Sequence, residues 1–185
     1  SSDQTVPGTT VVTIDSAATI TGWGLLVYNG SQPRSPTLRP LNVVNNGTVN
    51  HTVGWDDPSE SAGLTVSTNS GSIRYSGNGS AITNGTANAA GNFDGSTGLL
   101  IYASGLGNST TVGSQAAPVS GTFRGEAGVR LVAENSRLDA WFTGGTMTAT
   151  RQSNGLAALS IQAADSLNLT MTGGTVVDRG ITAYL

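Results

Sequence analysis

Hydrophobic and polar residues alternate along this chain in short runs rather than at helical spacing. Gly24-Leu-Leu-Val-Tyr28, Leu41-Asn-Val-Val44, Gly98-Leu-Leu-Ile-Tyr102, Gly128-Val-Arg-Leu-Val132 and Leu167-Asn-Leu-Thr-Met171 are all of this kind. Apolar runs this short, bounded by Gly, Asn and Ser, predict strands joined by tight turns. Ala157 to Leu167 comes closest to a helix. Asn154-Gly155 in front of it, and its match to the other Gly-led runs, favour strand there too.

The runs recur at a regular interval. Two Thr-Gly-Gly-Thr tetrads begin at Thr143 and Thr172. A looser form, Gly or Ala followed by Ser or Thr and usually an apolar residue, occurs at Ala18-Thr19-Ile20, Gly47-Thr48-Val49, Gly71-Ser72-Ile73, Gly95-Ser96-Thr97, Gly121-Thr122-Phe123, Gly145-Thr146-Met147 and Gly174-Thr175-Val176. The tetrads mark the long end of a narrow band of steps between these sites. A fixed step of that size, within the range of about 20–50 residues, is the signature of a repeat architecture. A Gly-led strand follows most sites, as at Gly24, Gly79, Gly98, Gly128, Gly155 and Gly180. A Leu-led strand precedes the next, as at Leu41, Leu64, Leu138 and Leu167. Each unit therefore holds three short strands. A helix-free unit of this size excludes a βαβ crossover and falls short of a propeller blade of about 40 residues. What remains is an all-β chain folded as a parallel β-helix, a solenoid of about seven three-strand coils forming a single domain over residues 1–185.

Composition agrees with that architecture. Gly is 26 of 185 residues, about twice its ordinary share. Only 10% of residues are charged, against about 25% in ordinary domains, and all eight basic residues are Arg. A narrow lumen takes the inward apolar residues, repeated turns take Gly and Asn, and like charges stacked on successive coils would repel. The net charge of −3 leaves no basic face for phosphates, which excludes a nucleic-acid partner. With no Cys there is neither a disulfide framework nor a thiolate metal site.

Two segments interrupt the repeat and are expected to protrude as loops, 31–40 and 105–118. The first has three Pro between Gln32 and Pro40 and cannot donate fully to a strand ladder. Its Arg34 and Arg39, with Trp141 and Phe142, are the candidate contact residues. Trp141 and Phe142 are adjacent in a strand, so one faces in and the other out, and the outward one is the better candidate. The chain stops at Ala183-Tyr184-Leu185 inside a strand pattern, which predicts a further coil in the native protein or end-to-end self-association.

The segment Leu138–Leu185, with its two Thr-Gly-Gly-Thr-apolar turns, Asn154-Gly-Leu-Ala-Ala158 and Leu167-Asn-Leu-Thr-Met171, resembles the passenger domain of pertactin-like autotransporters of Gram-negative bacteria. The likeness is good over 120–185 and looser before, and it lies in a repeat grammar that is specific to architecture. It implies a right-handed β-helix, secretion to the bacterial cell surface through a C-terminal outer-membrane β-barrel translocator, and a role as an adhesin or surface interaction module. Its partner would be a host-cell or extracellular-matrix protein or glycan receptor, and no cofactor, metal or catalysis is implied.

Catalytic chemistry finds little to work with. A Ser-His-Asp triad would have to use His51, the only histidine, which reads as a polar strand or turn residue. Asp56-Asp57-Pro58-Ser59-Glu60 is the densest acidic cluster but lacks the spacing of a Ca²⁺ loop and reads as a solvated turn. The alternative function is a β-helical polysaccharide lyase or hydrolase, which wants two or three acids on one face. Counting from the tetrads puts only Asp139 and Asn168 one coil apart, with Asp165 and Asp178 near other turns. Arg124-Gly125-Glu126 has Glu where an integrin-binding tripeptide has Asp. Trp23 and Trp55 join Trp141 and Phe142 as aromatic groups that could stack on sugars or fill the core. An ice-binding surface would need a Thr array at one position on every coil, and the sequence spacing shows none. Seven Asn-x-Ser/Thr sequons, at Asn29, Asn46, Asn50, Asn78, Asn84, Asn108 and Asn168, are silent if the protein is bacterial.

Overall fold

A computed structural model describes residues 9–29, 40–52, 62–69, 71–83, 97–105, 109–134, 136–150, 157–177 and 180–185. Among these the only regular structure is strand, and the strands wind into a right-handed parallel β-helix. The first coil is β1 (Thr10–Ile14), β2 (Thr19–Gly22) and β3 (Leu25–Asn29); the second is β4 (Leu41–Asn45), β5 (Thr48–His51) and β6 (Ala62–Thr68). The third is β7 (Ile73–Ser76), β8 (Ser80–Thr83) and β9 (Thr97–Ala103); the fourth is β10 (Ser109–Val112), β11 (Thr122–Gly125) and β12 (Ala127–Ala133). The fifth is β13 (Arg137–Phe142), β14 (Thr146–Ala149) and β15 (Leu159–Ala163); the sixth is β16 (Ser166–Met171), β17 (Thr175–Val177) and β18 (Ile181–Tyr184). Every third strand pairs in parallel, so three six-stranded sheets run the length of the rod.

The described residues thus form six coils, not seven. Strands of the second sheet open at Thr19, Thr48, Ser80, Thr122, Thr146 and Thr175. The coils are therefore unequal: the step from Ser80 to Thr122 is the longest and the step from Thr122 to Thr146 the shortest. Two of the seven repeat sites belong to other sheets. Ile73 opens β7 in the first sheet, and Thr97 opens β9 in the third. The residue opening the second-sheet strand of that coil is Ser80, behind Gly79. All three corners of a coil require a small residue followed by a β-former, so the same word marks any of them. Leu64 is likewise in the third sheet, not the first. The stretch 105–118 is also not one loop. Within it Ser109–Val112 forms β10, paired with β7 and β13. Past Gly113, Ser114 and Ala117 close a small turn in which each amide donates to the other's carbonyl, at 3.1 and 3.2 Å.

Strand alternation builds the core. In the third sheet Leu25, Leu64, Leu99, Val129, Leu159 and Ile181 stack in register, as do Val27, Val66, Ile101, Leu131, Ile161 and Ala183. Both columns face inward, and their members in the second to fifth coils are buried. Tyr75, Phe123 and Phe142 are the largest fully buried side chains. At the corner after β4, the buried Asn45 Nδ2 donates to the Tyr75 hydroxyl at 3.3 Å and to the Ser80 carbonyl at 3.4 Å. On the sixth coil Ile181, Tyr184 and Leu185 are exposed.

A column of small residues lines the corner before the second sheet. Ala18, Gly47, Gly79, Gly121, Gly145 and Gly174 precede Thr19, Thr48, Ser80, Thr122, Thr146 and Thr175, which are in register. Their carbonyls point along the rod axis: those of Ala18, Gly47, Gly121 and Gly145 accept the amide that opens the next coil's strand. That carbonyl occupies the space a side chain on the next coil would need.

Candidate functional site

The third sheet places a second set of side chains on its outer surface. In register order one outward column is Leu26, Thr65, Leu100, Arg130, Ser160 and Thr182, and its neighbour is Tyr28, Ser67, Tyr102, Val132, Gln162 and Tyr184. Outward positions of a solvated sheet are ordinarily polar. Here the first four coils carry Leu26, Tyr28, Leu100, Tyr102 and Val132 at these positions, with Val132 buried and Leu100 and Tyr102 half-buried, and Trp23 stands beside them. Together with Thr65, Ser67 and Arg130 they line a groove of about 750 Å³. Trp23, Leu26 and Tyr28 are 62%, 64% and 59% exposed, so this end of the groove offers apolar surface directly to solvent.

Neighbouring coils hold the two groove tyrosines. The Tyr28 hydroxyl accepts from Asn69 Nδ2 at 3.3 Å. The Tyr102 hydroxyl donates to Glu134, and that bond, more than burial or the negative charge of Glu134, raises its pKa above the ordinary phenol value, with Arg130 opposing. The sequence offered a signal for this site that the strand reading passed over. The word Gly-Leu-Leu-apolar-Tyr occurs at both 24–28 and 98–102. With alternation, its second Leu and its Tyr face outward in two coils of one sheet.

The residues singled out from sequence fall in different places. Arg34, Arg39, Trp55 and the Asp56–Glu60 cluster lie outside the described residues. So do 31–39 of the Pro-rich segment, 106–108 of the second loop and Asp178. Of the adjacent aromatic pair, Phe142 faces inward and is buried, so it is not a contact residue; Trp141 faces out, half-buried, on the first sheet. Glu126 is buried, which removes Arg124-Gly125-Glu126 as an exposed tripeptide. Asp139 and Asn168 are one coil apart in register, as the spacing required. Asp139 stands in a column with Asn42, Arg74 and Thr111, and its carboxylate takes two bonds from Arg137, Nε to Oδ2 at 2.6 Å and Nη2 to Oδ1 at 2.9 Å. That pairing raises the Arg137 pKa further. Among the described residues no three His, Cys, Asp or Glu side chains converge as a metal site.

A Thr array does repeat at one position, contrary to the sequence spacing. Thr19, Thr48, Ser80, Thr122, Thr146 and Thr175 form an outward hydroxyl column on the second sheet. The column beside it is mixed: Thr21, Asn50, Ile82, Arg124, Thr148 and Val177, with Arg124 exposed. One ladder next to a projecting guanidinium is not a flat two-column hydroxyl lattice.

His51 closes β5 facing inward and is buried, its Nδ1 3.1 Å from Thr83 Oγ1. Burial lowers its pKa from 6.5, because the interior disfavours the charged ring. The unfolded chain therefore binds more protons as pH falls through 6.5, and the stability contributed by the neutral ring is complete above that value and lost below it. The denaturant midpoint of the wild type is expected to fall as the buffer is taken from neutral to below pH 6.5, and His51→Gln is expected to flatten that fall. An unchanged slope in the variant would assign the acid limb to the carboxylates.

No protein family matches this chain, and neither does a curated protein or a solved structure.

Proposed function

We propose that this chain is a passenger segment of a bacterial autotransporter, a cell-surface rod that acts as an adhesin or interaction module and does no chemistry. In this reading it reaches the surface through an outer-membrane β-barrel translocator and meets a host-cell or extracellular-matrix receptor. The observation that carries the recognition role is the groove on the third sheet. It presents exposed Trp23, Leu26 and Tyr28 on a rigid scaffold, and contiguous exposed apolar surface marks interaction sites. The β-helix supports it as a spacer, since six coils at the inter-strand distance hold the groove along a rod on the order of 25 Å.

Beads coated with the chain are expected to adhere to epithelial cells or to immobilised matrix, and the double variant Trp23→Ala/Tyr28→Ala to lose most of that adhesion. Adhesion undiminished in the variant would remove the groove from the recognition role. Release of new sugar ends from pectin-like or capsular polysaccharide by the wild-type chain would replace the adhesin reading with the lyase or hydrolase one.

A further inference from the structure

Resting on that recognition role, we propose that the groove binds a neutral, extended polysaccharide chain laid along the rod axis, with Tyr28 and Tyr102 as stacking platforms. Tyr28, Ser67 and Tyr102 are consecutive members of one outward column. The tyrosines are thus two coils apart, about 10 Å at the inter-strand spacing. In an extended β-linked glycan alternate sugar rings turn the same face to one side at a comparable repeat. A ligand on this column meets a ring, then a hydroxyl, then a ring. Sugar rings have that dual character, with apolar C–H faces for aromatic platforms and hydroxyl edges for Ser67 and Thr65.

Three further observations favour a glycan over other occupants. The strands flooring the groove beyond its first coil, β6, β9 and β12, are hydrogen-bonded on both sides. Of the groove strands only β3, at the sheet's end, has a free edge, and a peptide added there would lie beside β3 in the sheet, not along the groove. Among the described residues Arg130 is the only charged one in the lining, and Glu134 stands beside it at the Tyr102 hydroxyl. The opposite charges leave little net field for a polyanion. Finally, Asn69 and Glu134 each hold one tyrosine hydroxyl, which fixes the platforms before a ligand arrives and lowers the ordering cost of binding.

Calorimetric titration of the full chain tests this with β-1,4-linked glucose, mannose and xylose oligosaccharides, and polygalacturonate as the anionic comparison. At least one neutral tetrasaccharide is expected to bind, and its disaccharide, which reaches only one platform, to bind about tenfold more weakly. Tyr28→Ala and Tyr102→Ala are each expected to weaken binding about tenfold. Tyr28→Phe, which keeps the ring, should retain it. The proposal is overturned if no neutral oligosaccharide binds, if only polygalacturonate does, or if both alanine variants bind as wild type. Cell adhesion separates the two readings. Adhesion that needs Tyr28 but survives enzymatic deglycosylation of the cells means a protein receptor, which ends the glycan inference and leaves the recognition role standing. Adhesion indifferent to both ends both.

Discussion

Gly121→Ala is expected to destabilise the rod by about 3 kcal/mol, the upper part of the range for forcing atoms into a packed site. A methyl group there would overlap the Gly79 carbonyl oxygen of the preceding coil and lie 3.0 Å from Phe123 Cζ. The Gly79 oxygen cannot withdraw, because its strand is held in register with β5 below and β11 above. The penalty is one of space and not of backbone conformation, since Gly121 lies outside the left-handed region. Gly144→Ala supplies the contrast. Gly144 has φ +61°, and a Cβ there meets nothing closer than the Ser120 Cβ at 3.7 Å. Its loss should be about 1 kcal/mol, the strain of a left-handed alanine alone. Guanidinium unfolding of both variants measures the difference. Equal losses would mean that the glycine column is not close-packed.

Phe142→Ala should be the most damaging single truncation on β13, at about 4 kcal/mol. Its ring is 1% exposed and faces the lumen, paired in register with Met171 of the sixth coil and bridged to Val119. The lumen is walled by three hydrogen-bonded sheets and cannot collapse around the void. Trp141→Ala removes a larger side chain from the adjacent residue, yet should cost about 1 kcal/mol, because Trp141 faces outward and is half-buried. Urea midpoints for the pair decide which aromatic belongs to the core. A larger loss for Trp141→Ala would mean that β13 is turned the other way.

Much of the architecture was legible because a solenoid repeats local rules. Alternation in Leu138–Phe142 and Leu167–Met171, with the Gly-Gly turns between, defined one coil and its neighbour, and the register pairs Leu138 with Leu167 as the spacing implied. Coil number was less legible. The even spacing of Gly47, Gly71 and Gly95 matched the repeat by counting different corners of longer coils, since the strands that follow them lie in the second, first and third sheets. The groove was less legible still. Trp23, Tyr28 and Tyr102 are separated in sequence, and only stacking in the third sheet puts Tyr28 and Tyr102 in one column.

The residue pattern by itself determined that this chain builds a stack of short strands with an apolar lumen, few charges and glycine corners, because those are local steric and burial requirements met within each coil. It also required that Trp141 and Phe142 face opposite ways, without saying which faced in. The tertiary structure decided that question, the number of coils and the site, because each depends on which residue lies one strand away on the next coil. That neighbour is set by the length of every intervening turn, and no single turn's residues record the sum.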